Sequence, residues 1–318
     1  MSFFLGYATL NRFYPPDLPQ LSDTYYYFHV VQNGFKERLS DDFGASTRFL
    51  IPGLANLLYF SIPDLGSWNK AALSILLVNS GFVAGIACLT FFSAVKFTSS
   101  ATTGLIAAFV LMLNYQTTNI FLAGYVESGF CFFILAFVIL SYYGKYYWLP
   151  FVCILGTLTK EVFLPFVLSY SFCFILMLYI QTRKVSWQVC ASHFLCGFLS
   201  VLCYFYLKFL AVGDIVSPFE HAAQIHKGTP PLFSNFFGTF LRFSYVFIWL
   251  LPLALPKIRE IPAGFIFPVV GALIPLLVLG TIAGLSGVGY ARITFSVLGP
   301  LLCVAAAISL NRIFASKG

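Results

Sequence analysis

Apolar residues run along the chain in stretches of bilayer length, interrupted by short polar or charged junctions, from about Lys70 onward. A helix crosses the hydrocarbon core with about 20 mostly apolar residues. Runs of that kind lie near residues 71–95, 101–122, 128–144, 188–210, 234–255, 262–284 and 290–311. The apolar stretch 146–182 is too long for one crossing, because as a single helix it would extend about 55 Å. It is broken at Lys160-Glu161 and flanked by Lys145 and Arg183-Lys184, so it divides into two crossings at Lys160. The pattern predicts an all-α, polytopic integral membrane protein with about nine membrane segments, in the range of about 8–10. These form one transmembrane helical bundle over 70–318, preceded by a distinct segment, 1–69.

That first segment is patterned differently. SDTYYYFHVVQNGFKERLSDDFG and STRFLIPGLANLLYFSIPDLG are mixed polar and aromatic stretches of helical length, separated by an acidic, glycine-containing turn. They predict interfacial helices lying along the membrane surface. Tyr25, Tyr26, Tyr27, Phe28 and Phe35 would then sit at headgroup depth as an aromatic belt. The opening MSFFLGYATL is too short to span and lacks the basic start of a secretory signal. No internal repeat of the solenoid kind is evident.

Composition agrees with the pattern. Hydrophobic residues make up 59% of the 318 and charged residues 9%, where a soluble domain carries about a quarter charged. Water is therefore not the main solvent. The few charges sort by side. With the crossings alternating, Lys96, Lys145, Arg183, Lys184, Lys257, Arg259, Arg312 and Lys317 collect on one face against the single acid Glu260. The positive-inside rule makes that face cytoplasmic. The other ten of the eleven acids fall on the opposite face, with ten basic residues. The eight cysteines all lie in apolar runs without a CxxC pair, so they read as buried thiols and neither a disulfide frame nor a metal site.

Polar residues in or beside apolar runs need a reason. Lys160 and Glu161 interrupt a crossing, where each charge is costly unless it is paired or lines a polar cavity. A plain structural alternative is an ion pair, with Lys160 snorkelling outward and Glu161 in the first turn of the next helix. Glu127, in GYVESGF, opens a span at its outer end, where it also suits the helix dipole. Arg292, in GYARITFSVLGP, lies about one turn inside its span and is suited to hold a phosphate. Asp23 precedes the aromatic helix, and it or Ser22 can cap that helix. A cap would also fix the carboxylate rigidly. Arg48 can anchor an interfacial helix, while His221 and His226 in the 211–233 loop can be solvated histidines.

As a set these residues say more, because Asp23, Glu127, Lys160-Glu161 and Arg292 all fall on one membrane face. A carboxylate can take the proton of a hydroxyl acceptor, and Lys and Arg can stabilise a departing lipid phosphate. Glycosyl transfer from a polyprenyl-phosphate donor requires that combination. A water-soluble nucleotide donor would instead be met on the cytoplasmic face.

The same residues carry a resemblance. SDTYYYFHVVQNGF is similar to the acidic first extracytoplasmic loop of the GT-C superfamily of polytopic glycosyltransferases, which includes protein mannosyltransferases and lipid A aminoarabinose transferases. TRFLIPGLANLLY resembles the juxtamembrane helix that follows it, GYVESGFCFFIL the second acidic position, LGTLTKEVFLPF the lysine-containing break before a proline, and GYARITFSVLGPLL the late Arg-containing helix. The resemblance implies Asp23 as catalytic base and Glu127 as second acid. It implies a substrate-binding set of Arg48, Lys160, Glu161, His221 and Arg292, with Lys160 and Arg292 on the lipid phosphate. It implies a polyprenyl-phosphate sugar donor, membrane lipids and an acceptor of unspecified kind as partners, with no nucleic acid. No metal ligands are assigned and no cofactor is required by the pattern, although a divalent cation is compatible with it. The implied location is the bacterial inner (plasma) membrane, with the site facing the periplasm or exterior. Family members usually begin with a transmembrane helix before the acidic loop, and many end in a soluble domain. Here the start is expected either to lie upstream or to be held by the interfacial helices. The main alternative is a transporter or lipid flippase, which should show repeated halves and helices broken near the midplane. An O-antigen ligase would need a larger outer loop than 211–233, and a purely structural subunit would leave Lys160-Glu161 unexplained.

Overall fold

The computed structural model describes residues 1–10, 22–35, 47–63, 69–212, 249–282 and 287–315, and among these every regular element is a helix. In chain order they are α1 (Ser2–Leu10), α2 (Ser22–Asn33), α3 (Leu50–Ser61), α4 (Lys70–Thr98), α5 (Ala101–Met112), a π-helical turn (Thr117–Phe121) and α6 (Glu127–Tyr142). A 3-10 turn (Tyr146–Trp148), α7 (Leu149–Thr159), α8 (Phe163–Thr182) and α9 (Trp187–Val212) follow. After them come α10 (Leu250–Ala254), a second 3-10 turn (Leu255–Glu260), α11 (Ala263–Ile282) and α12 (Gly287–Ala315).

Five of these, α4, α8, α9, α11 and α12, are long and apolar enough to cross a bilayer. That corrects the expected nine, as far as the described residues go. Four apolar helical stretches, within Leu50–Ser61, Ala101–Met112, Glu127–Tyr142 and Tyr146–Thr159, are shorter. The run 101–122 stops early because its polar residues turn inward. The Asn114 side chain accepts from the Gln116 amide at 3.0 Å, and the Thr117 hydroxyl donates to the Leu111 carbonyl at 2.7 Å. Backbone and side-chain groups thus satisfy each other locally, which competes with continuing the α-helix. The run 146–160 stops where Lys160 takes an extended backbone, φ −159° and ψ 133°. Most of the run 234–255 lies outside the described residues.

α12 is the axis of the bundle. In its apolar window 78% of residues are buried, and α4, α5, α6, α10 and α11 surround it. α7 and α8 pack against α9, α7 also against α6, and α8 against α11. Because lipid is as apolar as leucine, such helices associate by close packing and buried polar contacts. Cys131, Cys153, Cys196 and Cys303 are buried thiols as expected, whereas Cys88 is exposed on α4.

The described helices before Lys70, α1, α2 and α3, pack on α4. Ser2 donates to the Ser80 carbonyl at 3.1 Å. α2 and α3 build a small core of their own from Tyr26, Tyr27, Val30, Val31, Ile51 and Ala55, closed by Ala71, Ile75 and Val78 of α4 and by Val126. Two of the five aromatics expected at headgroup depth, Tyr26 and Tyr27, are therefore buried inside the protein. The aromatic cluster reads as a belt in sequence because hydropathy does not distinguish lipid from a neighbouring helix.

One polar contact fixes the entry to α6. Asn79, fully buried about a third of the way along α4, donates to the Tyr125 carbonyl at 3.0 Å and accepts from the Ser128 hydroxyl at 2.6 Å. It thereby holds the turn that Gly124 makes in the left-handed region at φ +83°. Replacing Asn79 by Leu strands a buried carbonyl and a buried hydroxyl, a cost of about 1–3 kcal/mol. The melting temperature of the detergent-purified variant should fall, and Ser128→Ala should add little on that background. Full additivity of the two substitutions would show that the residues are not coupled.

Candidate active site

Six of the seven residues singled out in the sequence meet at one end of the bundle; the seventh, His221, lies outside the described residues, as does His226. The geometry follows from three local features. Asp23 and Tyr27 are one turn apart on α2, so they share a face. Arg48 lies two residues before α3, and the Phe49 amide donates to the Leu158 carbonyl at 2.8 Å, which pins this segment to the end of α7. Lys160 is extended, so it and Glu161 point away from each other.

That divergence splits the cluster into two linked halves. On one side Arg48 Nε and Nη2 donate to the two carboxylate oxygens of Glu161 at 2.9 and 2.7 Å. Arg48 Nη1 donates to Asp23 Oδ2 at 2.9 Å and to the Tyr27 hydroxyl at 2.8 Å. The planar fork suits this bidentate use. On the other side Lys160 Nζ donates to Glu127 Oε1 at 2.8 Å, and Arg292 Nη1 approaches the same oxygen at 3.5 Å. Lys160 and Glu161 are thus not a simple ion pair with each other.

Close packing makes the convergence possible. A Cβ on Gly129 would come within 2.9 Å of both Ile51 Cδ1 and Thr159 Cγ2, so glycine lets the first turn of α6 approach the start of α3 and the end of α7. Glu127 in that first turn also suits the positive end of the helix dipole. Its Oε2 is buried without a hydrogen-bond partner. The Arg292 guanidinium lies over the Tyr125 ring, 4.1 Å from its centre, and its Nε is likewise buried without a partner.

Depth assigns different chemistry to the members. Arg48, Glu127 and Lys160 have side chains no more than 10% exposed, while Asp23 is 27%, Glu161 25% and Arg292 18% exposed. Two carboxylates, Asp23 and Glu161, and the Arg292 guanidinium thus reach the accessible edge, and the charges behind hold them. No family model matches the chain, and no curated protein matches it. The site therefore has to be read from its own groups. Among the described residues no set of three or more His, Cys, Asp or Glu is grouped as metal ligands would be. Instead, each carboxylate of the cluster is engaged by a cation.

Charges also mark the far end. Glu260 pairs with Lys257 at 3.0 Å and with Arg312 at 2.7 Å. Arg292 and Arg312 lie on the same helix, α12, twenty residues apart, or about 30 Å, which is the thickness of a hydrocarbon core. The two charged clusters are spaced as the two faces of a membrane would be.

Three contacting residues escape sequence reasoning. Tyr27 is hidden in an aromatic run, Asn79 is a lone amide in an apolar helix, and Tyr125 looks like an interfacial aromatic. The usable signal for Tyr27 was its four-residue spacing from Asp23. For Asn79 it was an amide inside an apolar run.

Burial alone would raise the Glu161 carboxyl, but the Arg48 charge and hydrogen bonds, with Lys160 beside them, hold it at about 2. Burial pushes the Tyr27 phenol well above its ordinary value, in spite of Arg48, so it stays protonated. Because the Glu161 value is depressed, its contribution to stability is complete above the ordinary carboxyl range near 4.5 and is lost as pH falls toward about 2. Melting temperatures of the purified protein should therefore show no loss from this pair between about pH 8 and 5, and a fall below that which Glu161→Gln removes. Arg48→Met leaves two carboxylates and a phenol without their partner and should cost about 3–5 kcal/mol. A variant as stable as the parent would show that the fork contributes nothing.

Proposed function

We propose that this chain is a membrane glycosyltransferase that moves a sugar from a polyprenyl-phosphate carrier to an acceptor hydroxyl, at the extracytoplasmic face of a plasma membrane. The observation that carries the reading is the meeting of Asp23, Arg48, Glu127, Lys160, Glu161 and Arg292, from five separate parts of the chain, at one end of an apolar bundle. The charge sorting of the loops supports the choice of face.

In the proposed reaction the acceptor oxygen attacks the anomeric carbon as the bond from that carbon to the phosphate oxygen breaks. Asp23 takes the hydroxyl proton, and the bond pair leaves with the lipid phosphate, whose charge Arg292 and Lys160 receive. Arg48 acts as the positioning group for Asp23, and Glu127 as that for the two phosphate-binding cations. No covalent sugar on the enzyme is needed, so the configuration at the anomeric carbon inverts.

Asp23→Asn keeps an oxygen for Arg48 and loses only the basicity. Transfer of a radiolabelled sugar in a reconstituted assay should drop by about 10²–10⁴-fold while expression and melting temperature hold. Undiminished transfer would overturn the assignment of the base. Arg292→Gln should mainly weaken the donor, raising its apparent KM about tenfold or more. A flippase reading draws on the helix break between α7 and α8 at the charged cluster. It predicts lipid translocation without a glycosylated product, so product analysis in the same vesicles decides between them.

A further inference from the structure

Two turns at the end of the bundle opposite the charged cluster form one basic and aromatic surface. One joins α6 to α7 and the other joins α8 to α9, so α7 and α8 lead away from this end and back to it. Contacts bring the two turns together laterally as well. A Cβ on Gly264, near the start of α11, would meet Tyr142 at the close of α6 and Met177 in the last turns of α8, at 3.5 and 3.7 Å. In the first turn, the Tyr146 ring lies against His193 in the second turn of α9, with ring centres 6.2 Å apart. The 3-10 turn Tyr146–Trp148 packs on α9 as a whole.

The first turn carries Lys145 and the second Arg183 and Lys184, all three exposed. Among the described residues none of them pairs with an acid, because Glu260 at this end is taken by Lys257 and Arg312. Arg183 ends α8 in the left-handed region at φ 53°, a position that glycine fills with less strain. The negative end of α8 favours cations, but it leaves their donors free for an anion. Large rings frame the cations: Tyr147 is 70% exposed, Trp148 51% and Trp187 83%, the amphipathic rings of a headgroup boundary. Below them Phe194, Phe198, Leu202 and Tyr206 face outward at every fourth position of α9. That stripe is about 18 Å long, the depth of one leaflet's hydrocarbon, about 15 Å. Cations at the rim and an apolar wall beneath complement an anionic head and its acyl chain.

We propose that these two turns bind an anionic phospholipid of the leaflet at this end, with Lys145, Arg183 and Lys184 on its phosphate, Trp148 and Trp187 at its glycerol level, and its acyl chain along α9. Unpaired basic groups at a helix end beside the headgroups select anionic over zwitterionic lipid. The inference does not rest on the glycosyltransferase reading.

The test reads tryptophan fluorescence of the full chain in phosphatidylcholine vesicles, with Trp68 and Trp249 replaced by Phe so that Trp148 and Trp187 remain. The vesicles carry the same low mole fraction of either brominated phosphatidylglycerol or brominated phosphatidylcholine, whose bromine quenches an indole only at close range. Phosphatidylglycerol should quench more strongly. Lys184→Gln and Arg183→Gly should each lower its relative affinity about fivefold, and loss of all three cations should abolish the preference. Arg183→Gly relieves the left-handed residue, so its melting temperature should hold or rise while selectivity falls, which separates lost binding from lost folding. Lys184→Arg should keep the preference. Arg312→Gln removes the same charge from the same end, but from the pair with Glu260, and should leave the preference unchanged. Equal quenching by the two lipids would make this face an ordinary lipid boundary and overturn the proposal. So would a preference that survives loss of the three cations, or one that falls as much in Arg312→Gln, which would trace it to the net charge of the face.

Discussion

The Arg48 guanidinium is the joint on which this end of the molecule depends. Four of its contacts are hydrogen bonds, two to Glu161, one to Asp23 and one to Tyr27, and they come from two different parts of the chain. Neither α2 nor α3 reaches the length of a crossing helix. What orients them against the bundle is their small apolar core with α4 and this fork. Removing one partner of such a buried set costs far more than the set contributes over an apolar substitute. Stability alone therefore does not account for the arrangement, and holding Asp23 in one place agrees with the role proposed for it.

The second half of the cluster obeys the same logic with the signs exchanged. Here a single carboxylate oxygen, Glu127 Oε1, serves two cations, and the carboxylate is the buried member. The extended backbone at Lys160 is what lets one charged dipeptide serve both halves. Had α7 continued as a helix through Glu161, the two side chains would have projected about 100° apart on one cylinder, and one of the two pairings would have been lost. Asn79 and Gly129 contribute from outside the charges, one by fixing the turn into α6 and the other by letting α6 come close.

Hydropathy made the helical membrane class legible, together with the charged break at Lys160-Glu161 and the polar positions Glu127 and Arg292, because a charge in an apolar run stands out at once. It overcounted crossings, since apolar average says nothing of Asn114 and Thr117 bonding locally and ending α5. Arg48 was legible as a residue but not as the hub. An arginine before an interfacial helix satisfies the pattern without any partner, and its acids lie 25 and 113 positions away in sequence. Tyr27 was lost for a related reason: which members of an aromatic run turn inward, here Tyr26 and Tyr27, is set by the tertiary cluster with Ile51 and Ile75, which one-dimensional pattern does not carry.

Charge balance links the structure to the chemistry proposed for it. Asp23, Glu127 and Glu161 oppose Arg48, Lys160 and Arg292, so this set of six is neutral while half-buried among apolar helices. A bare set of cations there would carry a heavy desolvation cost. On the proposed reading, a lipid phosphate arriving at Lys160 and Arg292 exchanges with Glu127 Oε1 and does not fill an empty site. Donor affinity on this reading is a difference between two anions for the same cations. The long 3.5 Å contact of Arg292, with its Nε lacking a partner, makes Arg292 the cation that loses least in the exchange. Lys160, held at 2.8 Å, loses more. The leaving phosphate, which gains charge as the glycosidic bond breaks, competes for Lys160 better than the intact donor does. In such a site the neutral resting cluster favours the transition state over the ground state, which is the condition for binding energy to become rate.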